Sequence, residues 1–157
     1  GSSFTDQKWL EVGQTEMDVN YFGTLRMMMA FAPVLASNGG GAIANVGSVA
    51  SLINFPAFIS YSASKAATHS VTQAARLLLA GQGTQVYGIY PGPIDTRMTQ
   101  DLPFEKTSPA AAATAMLNDI QNGVEEIFPD PMAKVFGDLW VKQPKALESH
   151  VAAMLAA

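Results

Sequence analysis

Two short apolar runs, at residues 42–46 and 85–90, flank residues 60–79, where Ala63, Ala67, Val71, Ala74, Ala75, Leu78 and Leu79 recur at helical spacing. That order constrains the fold most. A strand, a long helix and a second strand form a parallel βαβ unit, because parallel neighbours need a crossover long enough to return the chain to the same end. A third helix at 110–122, opened by Ser108-Pro109 and closed by Gly123, precedes a third short strand at 125–128. The expected class is α/β, a partial doubly wound parallel sheet of about three strands with flanking helices.

Before the first strand, residues 15–35 are good helix formers whose apolar side chains, among them Met17, Phe22, Leu25, Met28 and Phe31, spread over more than one face. Such a helix is buried on two sides. Pro33 marks its kink or end, and Ser37 to Gly41 is turn chemistry. Residues 47–57 read as loop, Ser60 as a helix cap, and 94–107 as a polar, irregular, mobile binding loop. A last helix is expected at 140–157, broken at Pro144, and no linker or repeat divides residues 1–157, which read as one domain with Gly1-Ser2-Ser3 a cloning scar.

With 13 acidic and 9 basic side chains the net charge is −4, which excludes nucleic-acid binding driven by bulk charge. Charged residues make up only 14% of the chain, against about 25% in an average soluble domain. Part of the surface is therefore expected to be covered by other protein. The absence of Cys excludes disulfides, thiolate metal sites and a cysteine nucleophile, and fits a cytoplasmic setting. The most apolar stretch, 25–35, is too short to span a bilayer and contains Arg26.

Tyr61 and Lys65 are four residues apart on the 60–79 helix and so share a face. A positive neighbour favours a phenolate and makes a tyrosine a better acid and base near neutrality. Ser48 follows the first strand and Pro91-Gly92 the second, so both lie at the carboxyl edge of the sheet, where open α/β sheets bind ligands. Asn20 is a poor helix former in the middle of a helix. His69 and His150 lack partners at metal-ligand spacing, the run Met27 to Met29 reads as packing, and Glu125, Glu126 and Asp130 read as a solvated strand end.

Taken together, Asn20-Tyr21-Phe22-Gly23, Asn45-Val46-Gly47-Ser48, Tyr61-x-x-x-Lys65 and Pro91-Gly92-Pro93-Ile94-Asp95-Thr96 resemble the short-chain dehydrogenase/reductase family. The resemblance implies hydride transfer between NAD or NADP and a carbonyl or alcohol substrate. It implies that Tyr61 is the general acid/base and that Ser48 binds the substrate oxygen. Lys65 would lower the Tyr61 pKa and bind the nicotinamide ribose, and Asn20 would hold a water relaying protons to Lys65. Pro91, Gly92, Ile94 and Thr96 would line the nicotinamide, with 97–107 the substrate loop. It also implies a homodimer through the helices at 15–35 and 60–79.

The resemblance begins after the family's fourth strand, so a truncated domain is expected. These residues include no Gly-rich turn between a first strand and a first helix. Gly39-Gly40-Gly41 follows a helix and precedes a strand, the reverse of a phosphate-cradling order. Two functions stay open: an NAD(P)-dependent oxidoreductase, or a non-catalytic truncated member that dimerises or binds a small molecule.

Overall fold

The computed structural model describes residues 8–156; the expected scar at 1–3 lies outside them. Helix α1 (Lys8–Glu16) leads through a π-helical turn, Met17–Phe22, into α2 (Gly23–Ser37). The helix expected at 15–35 thus starts earlier and runs past Pro33, whose fixed φ and missing N–H bend a helix without having to end it. Strand β1 (Gly41–Val46) is followed by two 3₁₀ turns, Val49–Ser51 and Pro56–Phe58, and then by α3 (Ile59–Leu79). Strand β2 (Thr84–Ile89), α4 (Pro109–Gln121), β3 (Glu126–Ile127), α5 (Pro131–Lys142) and α6 (Pro144–Ala156) complete the described chain.

The three strands form one parallel sheet in the order β1-β2-β3, with Gly41 paired to Thr84 and Val46 to Ile89. Helices cover both faces. On one, Met28 of α2 and Ala75 of α3 pack on Val86 and Ile43; on the other, Met116 and Ile120 of α4 pack on Tyr87, Ile89 and Ile127. The central strand β2 is buried almost throughout, whereas Ala42, Ala44 and Val46 of β1 stay exposed.

Three further sequence expectations change. Ser60 does not cap α3; its hydroxyl donates to the Glu16 carboxylate on α1, tying the two helices together. The single helix expected at the C-terminus is two, α5 and α6, because an additional helix starts at Pro131, the first helical position after Asp130. Its apolar face, with Ala133 and Phe136, meets Leu147 and Val151 of α6 over Val49.

The third change concerns the acidic cluster, which is not a solvated strand end. Asp130 is 2% exposed. Glu126 is half-buried and accepts from Arg76 Nη1 at 2.9 Å, while Arg76 Nε reaches the Val86 carbonyl at 2.9 Å. Only Glu125 is largely exposed, and it too faces Arg76. Beside them Tyr90 is fully buried, its hydroxyl 2.6 Å from His69 Nδ1. Burial, then the Glu126 charge, raises the Tyr90 pKa above the ordinary phenol value, so it stays protonated as a structural hydroxyl.

Candidate active site at the carboxyl edge

The register of β1 on β2 brings the ends of both strands together. The Gly47 N–H donates to the Ile89 carbonyl at 2.7 Å and the Val49 N–H to the Pro91 carbonyl at 3.0 Å. Glycine suits position 47, since a Cβ there would lie 2.9 Å from Ser51 Oγ and 3.0 Å from the Tyr90 ring and would push one of them aside. Ser48 turns the chain out of β1. Its Oγ accepts from Ala50 N at 3.1 Å, its N–H donates to Ser51 Oγ at 3.2 Å, and its hydroxyl is 3.5 Å from the Pro91 carbonyl.

The first turns of α3 lean over this turn. Lys65 Nζ donates to the Val46 carbonyl at 2.9 Å and lies 5.7 Å from the centroid of the Tyr61 ring. Tyr61 is half-buried, and its phenol pKa lies above the ordinary value. Burial is the largest cause; a hydrogen bond with the Ser48 side chain pulls down in part, and the Glu16 charge pushes up again. Burial also lowers the Lys65 pKa, weakening its hold on its proton. The balance at Tyr61 is set by burial, Ser48 and Glu16, and not by the downward pull expected from Lys65.

Of the eight residues singled out in the sequence, Ser48, Tyr61, Lys65, Pro91 and Gly92 converge here. Ile94 and Thr96 follow directly, in a segment fastened at its base. Ile94 bridges to Thr107, with Asp95 N–H donating to the Thr107 carbonyl at 2.9 Å and Thr107 N–H to the Pro93 carbonyl at 3.1 Å. Thr96 is exposed and pairs with Thr99.

Asn20 sits within the π-helical turn, a widening that recurs at functional sites. Its Nδ2 donates to Ser64 Oγ at 2.9 Å, and Ser64 Oγ donates to the Tyr61 carbonyl at 2.7 Å. Its own carbonyl accepts from the Thr24 hydroxyl at 2.7 Å and the Thr68 hydroxyl at 3.0 Å. Asn20 is thus joined to the backbone of Tyr61 through Ser64.

Sequence reasoning missed two residues. Glu16 acts on Tyr61 through its charge, an influence of α1 on α3 that linear spacing does not reveal. Asp130 accepts the Gly92 N–H at 2.7 Å; its signal was Pro129-Asp130-Pro131, a capping residue followed by proline at the first helical position. Among the described residues no group of His, Cys, Asp or Glu is arranged to hold a metal ion, and no helix is long and apolar enough to cross a membrane. Two concavities lie elsewhere: one of about 330 Å³ beside Arg76 and Thr84, the other an apolar groove of about 480 Å³ between α1 and α3.

The sequence pattern of the family described as short chain dehydrogenase matches residues 2–107. An uncharacterised oxidoreductase of Staphylococcus epidermidis is 38% identical over 103 residues, 66% of this chain and 44% of that protein. Galactitol 2-dehydrogenase (L-tagatose-forming) of Cereibacter sphaeroides is 38% identical over 96 residues, 60% of this chain and 36% of the enzyme. A crystal structure of a short chain dehydrogenase from Burkholderia cenocepacia in complex with NADP superposes with a TM-score of 0.85 at 40% identity, covering 90% of this chain and 59% of that one. The chain spans less than half the length of the first curated relatives it matches, between 44% and 49%.

Because Glu16 raises the Tyr61 pKa, replacing it by glutamine is expected to lower the phenol titration midpoint while keeping an oxygen for Ser60. The Tyr61 ring carbon followed by NMR against pH reads this directly; an unchanged or higher midpoint would remove Glu16 from the electrostatics of the site.

Proposed function

The chain belongs to the short-chain dehydrogenase family, and from that premise we propose that it carries the catalytic half of an NAD(P)-dependent oxidoreductase acting on a small carbonyl or alcohol. The observation that carries this reading is the convergence of the Ser48 hydroxyl, the Tyr61 phenol and the Lys65 ammonium at the carboxyl edge of β1. Each is a donor of the kind needed where an oxygen gains negative charge.

The residues fit the nicotinamide and ribose end of the cofactor. Lys65 offers further N–H donors beyond the one on Val46, Pro91 has no backbone N–H to leave unpaired, and Val46, at 55% exposure, leaves the neighbouring surface open. No cradle for the pyrophosphate lies among the described residues. Gly39, Gly40 and Gly41 take positive φ at 82°, 113° and 156°, but at the amino end of β1, opposite the site.

When bound, the nicotinamide supplies or accepts the hydride. Ser48 donates to the substrate oxygen and holds it against Tyr61. Tyr61 delivers its phenolic proton to that oxygen in reduction and removes one in oxidation; its raised pKa keeps it protonated at neutral pH and so favours the acid role. Lys65, held by Val46, stabilises the phenolate left behind and binds the ribose hydroxyls.

A second copy of the chain is the proposed cover for the exposed apolar side chains of α1 and α2. Met27, Phe31 and Val34, at 58%, 50% and 49% exposure, follow one another at turn spacing, a density unusual for a surface in contact with water alone.

Two outcomes follow. Replacing Tyr61 by Phe is expected to lower NADPH-dependent carbonyl reduction by about 10²–10⁴-fold with an unchanged melting temperature; retained turnover would refute the acid/base assignment. Light scattering at micromolar protein is expected to give twice the 16.6 kDa chain mass, and Phe31→Glu is expected to halve it; a monomer before substitution would refute the dimer.

A further inference from the structure

Asp130 is a buried carboxylate that no cation pairs with among the described residues, and its two oxygens point to different parts of the fold. Oδ1 accepts from the Ala133 N–H at 2.9 Å and caps α5, while Oδ2 accepts from the Gly92 N–H at 2.7 Å. Capping alone does not require this. A serine would accept the one N–H that a cap supplies, without the cost of burying a charge. A carboxylate gives two strong acceptors at a fixed separation, and the positive end of α5 offsets part of its desolvation.

The second bond holds the chain where the site is built. Gly92 follows Pro91, whose carbonyl accepts the Val49 N–H at 3.0 Å and lies 3.5 Å from the Ser48 hydroxyl. The fit is close on the Gly92 side, since a Cβ there would lie 2.7 Å from Asp130 Oδ1 and 3.1 Å from Met132 Cβ. A parallel connection runs through packing: Val49, next to Ser48, is buried against Ala133 and Phe136 on the helix that Asp130 caps. The start of α5 is therefore joined to the Ser48 turn twice, by the Asp130–Gly92–Pro91 chain of polar contacts and by the apolar contact at Val49.

We propose that Asp130 is a positioning residue of the active site, fixing the Pro91–Gly92 segment and through it the Pro91 carbonyl that competes with Tyr61 for the Ser48 hydroxyl proton. The proposal rests on the oxidoreductase reading above for its catalytic meaning, but its structural link is independent of any cofactor. It also gives the C-terminal helices a task beyond closing the core: the residue that caps α5 sets the geometry of the two strand ends.

The test compares the full chain with Asp130→Ser, which keeps a cap for Ala133 but cannot reach Gly92, and with Asp130→Asn, which can accept only one of the two N–H groups at a time. The readouts are the amide signals and exchange protection of Gly92 and Ala133, and the pH titration of the Tyr61 ring carbon. In Asp130→Ser the Gly92 amide is expected to lose protection while Ala133 keeps it. The Tyr61 midpoint is then expected to fall by about half a pH unit, the size of a neutral hydrogen bond gained when the Ser48 hydroxyl no longer shares its proton with the Pro91 carbonyl. Asp130→Asn is expected to fall between the two.

A Gly92 amide that loses protection with the Tyr61 midpoint unmoved would reduce Asp130 to a structural cap and overturn the proposal. So would a midpoint that moves while Gly92 stays protected. If Asp130→Ser does not fold, the same two readouts on Asp130→Asn decide. Carbonyl reduction by the unsubstituted protein is assayed separately: no turnover there, with the expected amide and Tyr61 changes present, would reject the oxidoreductase reading and leave the positioning link standing.

Discussion

The parallel ladder between Gly41–Val46 and Thr84–Ile89 is the constraint on which the rest depends. Its register ends both strands at the same level, so the turn at Ser48 meets the turn at Pro91 instead of lying a residue pair away. A slip of one residue would exchange the two faces of β1. It would take Asn45 away from Thr72, to which its Nδ2 donates at 3.0 Å, and Ile43 away from the α2–α3 core. The ladder therefore aligns the backbone, and buried contacts on one face lock that alignment.

Upon this frame α3 places the proposed catalytic pair. Helical spacing places Tyr61 and Lys65 on the side that faces the end of β1, and the Lys65 bond to Val46 fixes the ammonium on the backbone next to the serine turn. The electrostatics then follow from burial. Desolvation raises the phenol and lowers the ammonium, because burial disfavours the charged form of each.

Much of this was legible in the sequence, for a physical reason. The alternation of strand and helix patterns, the Tyr61-x-x-x-Lys65 spacing and the Pro91-Gly92 turn are local signals, and the three strands and the converging edge follow from them. What stayed hidden depends on residues distant in the chain. Ser60 looks like a cap until α1 supplies Glu16 as its partner. Asp130 looks solvated until α5 closes over it, and α5 itself was obscured because Glu125, Glu126 and Asp130 read as a solvated strand end. The π-helical turn at Asn20 likewise has no periodicity signal; it shows only where Ser64 and Thr68 of α3 meet the widened backbone.

The central claim is that the ends of β1 and β2, with Tyr61 and Lys65 above them, form a site for the nicotinamide end of a cofactor. Titrating the protein with reduced nicotinamide mononucleotide while following backbone amides by NMR tests it most directly. The account predicts saturable shifts concentrated at Gly47, Ser48, Tyr61, Lys65, Gly92 and Ile94. Shifts centred on Gly39–Gly41, or no shift at millimolar ligand, would contradict it.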